Sequence, residues 1–106
     1  MLKPFFVWQN KELIRINPEE VICLSTDRNY TRIYLSNNSC YLVRSTLAGA
    51  LKKLPGDMFI KVHRSYAVSI LYIDTLAKDH LTIDGNSIPI GRQFYKSVID
   101  KLNIIE

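Results

Sequence analysis

Three short polar segments carry the residue types that could do chemistry in this chain. Ser25-Thr26-Asp27-Arg28-Asn29-Tyr30 is the first, His63-Arg64-Ser65-Tyr66 the second and Gly91-Arg92-Gln93 the third. Each supplies Arg or Asn, and two contain Tyr or Ser. Arg can fork two hydrogen bonds onto the edge of guanine, and Asn can do the same for adenine. Ser, Thr, Tyr and Lys satisfy phosphate oxygens. Singly, such segments are ordinary, because Arg and Asn in turns are commonly just solvated. Taken together, they leave DNA contact and coincidence on equal terms.

Catalysis finds little support. A nucleophile needs a base within hydrogen-bond reach and a third group to orient that base. Ser65 beside His63 is the only suggestive pair, and two positions on one strand do not make a triad. A small hydrolase built on them would need an open pocket, whereas a convex loop surface is expected there. His63 itself has two readings, a ring hydrogen-bonded to backbone at a strand end or a contact to a phosphate or base. His80 follows a turn and is expected to be exposed. Asp27, Asp57, Asp74, Asp79 and Asp84 fall singly at turns and strand ends, where Asp is a common turn former. No Gly-rich phosphate loop is present. The chain therefore reads as non-enzymatic, with no cofactor.

The elements that must position these segments are limited by size. The chain of 106 residues (12.3 kDa) is one domain spanning 1–106. With 47% hydrophobic and 23% charged residues it has a globular balance. A chain this long buries roughly two-thirds of its unfolded surface and needs no disulfide or metal to fold. No apolar run approaches the ~20 residues of a membrane span, and Met1-Leu2-Lys3-Pro4 does not open a signal peptide. A cytoplasmic protein with no membrane partner is expected. The net charge of +4 and pI near 9.2 suit a polyanion without demanding one. Arg28, Arg32, Arg44, Arg64 and Arg92 matter more if they gather on one face. Cys23 and Cys40 form no CxxC and have no nearby His pair, so zinc is not expected. Both sit in apolar stretches and read as buried thiols.

Short strands at close spacing dominate, which predicts a mostly β fold. Strands are expected over Phe5–Trp8, Glu12–Ile16, Val21–Thr26, Tyr30–Leu35 and Ser39–Arg44, with Ile22 and Leu24 sharing one face. Asn17-Pro18-Glu19-Glu20 reads as a turn or one helical turn. The period then changes. Ser45 or Thr46 can cap a helix carrying Leu47, Ala50, Leu51 and Leu54, with Lys52 and Lys53 in its last turn and Pro55-Gly56 ending it. Further strands are expected over Phe59–His63, Tyr66–Ile70, Tyr72–Ala77, His80–Ile83 and Ser87–Ile90. Asp84-Gly85-Asn86 signals a hairpin, and Pro89 an edge strand. From Gln93 the tail reads as helical, with Phe94, Val98, Ile99 and Leu102 on one face. The total is nine or ten strands, one internal helix and a C-terminal helix.

The pieces, in this order, resemble the LytTR-type DNA-binding domain, an output module of bacterial response regulators. Glu20 to Thr31 is similar to that family's strand, its Asn-Tyr turn and the strand beyond. Arg44-Ser45-Thr46-Leu47, followed by Leu51 and Leu54, resembles its Arg-Ser-Leu helix opening. Phe59-Ile60-Lys61-Val62-His63-Arg64-Ser65-Tyr66-Ala67-Val68 is similar to its Phe-x-Arg-x-His-Arg-Ser-Tyr-x-Val, with Lys61 in place of Arg. Ile88-Pro89-Ile90-Gly91-Arg92-Gln93-Phe94-Tyr95 resembles its Pro-Val-Ser-Arg-x-Tyr signature, with Gly91 where Ser is frequent. The match runs from about residue 5 to residue 102.

The resemblance implies an elongated arrangement of about ten short strands in small sheets. It also implies a transcriptional regulator of two-component type whose loops read double-stranded DNA in successive major grooves. Asn29, Arg64 and Arg92 are the contact residues it carries over, with Arg28, Tyr30, His63, Ser65 and Gln93 flanking them. It implies paired direct repeats bound by two copies, with the DNA bent. No receiver domain lies within these residues, so the expectation is either an excised output domain or a stand-alone regulator. A β-rich protein-interaction module, using the Tyr and Arg positions as its contact surface, is the competing reading.

Overall fold

A computed structural model describes residues 2–106. Ten strands and two short helices follow one another along the chain. They are β1 (Phe5–Gln9), β2 (Glu12–Ile16), β3 (Val21–Asp27), β4 (Tyr30–Leu35), β5 (Cys40–Val43), α1 (Leu47–Leu51), β6 (Phe59–His63), β7 (Tyr66–Ser69), β8 (Thr75–Leu76), β9 (His80–Ile83), β10 (Asn86–Pro89) and α2 (Tyr95–Asp100). All strand pairs are antiparallel. They form a β1-β2 hairpin, a five-stranded sheet ordered β5-β4-β3-β7-β6 and a three-stranded sheet ordered β10-β9-β8. The molecule is somewhat elongated, 47 × 32 × 25 Å.

Local chemistry explains the tight turns. Asn10 (φ 49°) and Lys11 (φ 67°) link β1 to β2, and Asp84 (φ 50°) and Gly85 (φ 81°) link β9 to β10. Two successive left-handed residues are what a type I′ hairpin turn needs, because its twist matches that of the strands it joins. Thr46 caps α1 by accepting the Gly49 N–H at 3.0 Å. Pro89 lies on β10, an outer strand whose free side asks for no donor.

The five-stranded sheet is buried on both faces. One face packs Leu24, Ile33 and Ala67 against Val7 and Ile16 of the hairpin and Leu47 of α1. The other packs Ile60, Val62 and Val68 against Leu81, Ile83 and Ile88 of the three-stranded sheet and Val98 of α2. Thr31, fully buried, satisfies its hydroxyl by donating to the Ser45 carbonyl at 2.8 Å. Two hydrophobic layers thus clamp one sheet and leave its ends free to carry loops.

Several expectations need correction. Ile22 and Leu24 do not share a face. The pairing with β4 slips between Val21 and Cys23, and this bulge sends Leu24 into the first core and Ile22 towards the second. No strand covers Tyr72–Ala77. Ser69 accepts the Leu71 N–H at 3.3 Å and starts a 3-10 turn over Ile70–Tyr72, so only Thr75–Leu76 pairs. The internal helix stops at Leu51, with Lys52 as its cap, although Leu54 still reaches the core. A 3-10 turn at Arg92–Phe94 precedes α2. Cys40 is exposed on β5, an outer strand, while Cys23 is half-buried.

Burial, reinforced by Cys40, pushes the Cys23 thiol up to about 11 from 9.0. At pH 8 its thiolate is then about a hundredfold scarcer than that of an ordinary thiol. Labelling with a chromogenic disulfide should modify Cys40 first and Cys23 at least tenfold more slowly until the chain unfolds. Between pH 9 and 11 the folded chain keeps a proton that the unfolded chain has released. Stability should therefore fall as pH rises through that window, measured by urea unfolding, and the fall should vanish in Cys23→Ala.

Candidate nucleic-acid interface

The three polar segments meet at one end of the five-stranded sheet. β3 ends where β7 begins, since Ser25 is opposite Tyr66, and the Thr26 N–H donates to the Ser65 carbonyl at 3.0 Å. The turn between β3 and β4 therefore lies beside the turn between β6 and β7. With neighbouring strands ~4.8 Å apart, the midpoints of these turns are ~10 Å apart. The third segment is joined to β6 by a short backbone hydrogen bond, from the Gly91 N–H to the Val62 carbonyl at 2.7 Å. In sheet order the row runs from Arg28-Asn29 through Arg64-Ser65 to Gly91-Arg92.

A bulge makes that last attachment possible. Lys61 is opposite Ala67 and His63 is opposite Tyr66, so Val62 is the extra residue on β6. Bulges kink a strand and re-aim the residues beyond the kink. Here the kink presents the Val62 carbonyl to Gly91 while its side chain stays in the second core. A β-carbon on Gly91 would meet Phe94 Cδ2, three residues on in the same segment, at 2.8 Å. The Phe94 ring in turn has Lys61 Nζ 5.9 Å from its centroid, a cation–π contact that holds the third segment against β6.

His63 is fixed from two sides. Its Nδ1 accepts the Ser65 N–H at 3.1 Å, and its ring centroid lies 5.6 Å from that of Tyr66. With Nδ1 accepting, the neutral ring carries its proton on Nε2 and offers it as a donor. The clefts beside α1 and beside Arg92 are lined by neither His63 nor Ser65. Among those residues no three His, Cys, Asp or Glu side chains group as metal ligands.

Three of the five arginines singled out by sequence lie at the turns and two do not. Arg28, Arg64 and Arg92 are exposed at the three turns, as are Asn29, Tyr30 and Gln93. Arg32 donates to Asp27 Oδ2 at 2.7 Å, and that hydrogen bond pushes its guanidinium pKa up. Arg44 lines a cleft beside α1. Arg28 has φ 59°, a left-handed position where glycine is the usual occupant, so the chain holds a long cation there under backbone strain. Sequence reasoning missed Lys78 and Lys96, which line a 590 Å³ cleft with Arg92 and Tyr95. The four-residue step from Arg92 to Lys96 could have signalled one of them. Lys78 comes from the turn before β9 and has no sequence signal. Asp79, in the same cleft, has its carboxyl held below the usual range by its hydrogen bond with His80 at 2.8 Å.

The model of the LytTr DNA-binding domain matches residues 11–103. The chain belongs to the LytTR family. The match is to a DNA-binding domain, which implies DNA binding in transcription regulation, and the family is non-enzymatic. The sensory transduction protein LytT of Bacillus subtilis (strain 168) is 28% identical over 100 residues, 89% of this chain and 41% of that protein. LytT of Enterococcus faecalis is 24% identical over 95 residues, 84% of this chain and 39% of that protein. The chain thus spans about 40% of the length of these curated relatives. A solved LytTr DNA-binding domain from Bacillus cereus superimposes with a TM-score of 0.76 at 22% identity, covering 92% of this chain and 94% of that one, which shows the shared fold. No helix among the described residues is long and apolar enough to cross a membrane.

The close packing at Gly91 makes a direct prediction. Gly91→Ala should destabilise the domain by about 1–3 kcal/mol through collision with Phe94. Gly91→Pro suits the local φ of −66° but also deletes the donor to Val62, and should cost about 1 kcal/mol more. Equal losses in urea unfolding would mean that the hydrogen bond contributes nothing.

Proposed function

We propose that the LytTR domain binds a specific DNA sequence by laying its three turns along one side of the duplex, where they enter successive major grooves. The observation that carries this reading is the single row formed by Arg28-Asn29, Arg64-Ser65 and Gly91-Arg92, tied together through Thr26–Ser65 and Gly91–Val62. A row of turns needs no recognition helix. The nearest helix, α2, has only six residues, and one face of it packs into the second core through Val98.

The roles rest on side-chain chemistry. Asn29, Arg64 and Arg92 are the base-edge readers, because an amide or guanidinium can make paired hydrogen bonds to a purine. Arg28, Tyr30, His63, Ser65 and Gln93 hold flanking phosphates or sugars and fix the register. His63 does so through Nε2, and Lys78 and Lys96 add positive charge beside Arg92. Two copies occupy paired direct repeats, and the bend lets both face the same side of the DNA. In a two-component regulator the phosphorylatable Asp would belong to a receiver domain, so no Asp of this chain takes that role.

Selection of bound sites from random duplexes supplies the target. Affinity should then fall steeply with salt as counterions are released. Arg64→Ala should cost roughly 1–3 kcal/mol on the selected site and much less on random DNA. Equal losses on both would make Arg64 a phosphate contact. Guanine-N7 methylation interference should give two patches about 10 base pairs apart on one face; a single patch, or none, would overturn the successive-groove geometry. Arg28→Gly should separate binding from folding, weakening DNA affinity while raising stability by up to about 1 kcal/mol as the left-handed strain is relieved.

A further inference from the structure

A second site lies away from the row of turns. β1 and β5 are both outer strands of their sheets, and both contribute to the walls of a cleft of about 820 Å³, with α1 supplying the third wall. The Gln9 Nε2 donates to the Leu42 carbonyl at 3.2 Å and fixes the hairpin against β5. Leu24, Ile33 and Leu54 of the first core form part of its lining. Phe6, Trp8 and Leu42 also line it, and they are 56%, 67% and 40% exposed. Large apolar side chains left this open in a cluster mark a surface that expects a partner.

The charges narrow the choice of partner. Lys3, Arg44 and Lys53 line the cleft, and no Asp or Glu does. All three are exposed, and none is in an ion pair among the described residues. Apolar walls with a cationic rim and no counter-charge complement a molecule with a hydrocarbon body and one anionic head. The volume is within the range of small-molecule pockets, ~300–1,000 Å³.

We propose that this cleft binds a small amphipathic carboxylate, with its hydrocarbon between Phe6, Trp8 and Leu42 and its carboxylate on Arg44 and Lys53. The proposal does not rest on the DNA reading. Tyr30 also lines the cleft and directly follows Asn29 of the first turn, so the bound molecule would lie next to the start of the row.

Trp8 is the only tryptophan in the chain, which makes the cleft its own reporter. Dodecanoate, titrated below its micellar concentration, should shift Trp8 emission to the blue and saturate with one molecule per chain. Arg44→Glu and Lys53→Glu should each weaken binding tenfold or more. Lys101→Glu, at the far end of α2, should leave it unchanged, with circular dichroism confirming the fold of every variant. Dodecyltrimethylammonium, with the same tail and the opposite charge, should bind at least tenfold more weakly. Equal binding of the two surfactants, or no effect of either charge reversal, would overturn the proposal. So would Trp8 emission that responds to protein concentration and not to dodecanoate, because a second copy of the chain would then be covering the cleft.

Discussion

The hydrogen bond from the Gly91 N–H to the Val62 carbonyl holds the row of turns together. The first two turns belong to one sheet, so their proximity comes from strand pairing. The third segment comes after β10, which belongs to a different sheet, and needs a separate anchor. The bulge at Val62 exposes a carbonyl for that purpose, the missing side chain at Gly91 leaves room for the Phe94 ring, and the Lys61–Phe94 contact closes the other side. Local disruption of one strand pair thereby fixes the geometry of a whole surface.

Packing explains why that surface can be polar and still well positioned. The central sheet is held between two hydrophobic cores, so its strands need no help from the turns to stay in register. Turns relieved of that duty can hold exposed arginines and a left-handed Arg28. The same architecture leaves β1 and β5 as outer strands, and Phe6, Trp8 and Leu42 exposed between them. Burial closes both faces of the central sheet, and the cleft opens where the hairpin meets its outer edge.

Much of the fold was legible in the sequence because alternation is a local signal. β2, β4, β6 and β9 were bounded correctly from it, and Asp84-Gly85 announced its turn. Parity and long-range pairing stayed hidden. The bulges at Ile22 and Val62 change which face a side chain occupies without any change in composition. The 3-10 turn at Ile70–Tyr72 depends on a Ser69 cap inside an apolar run that otherwise reads as strand. At the candidate site, residue types were legible and their partners were not. Nothing local distinguishes Arg32, held by Asp27, or Arg44, at the other cleft, from Arg28, Arg64 and Arg92.

If the three turns act as one contact surface for DNA, backbone amide chemical shifts should report it as a selected duplex is added to the domain. The largest changes should fall together on residues 26–30, 63–66 and 91–93, with the β1-β2 hairpin unmoved. Changes confined to one turn, or centred on the hairpin, would contradict a shared surface.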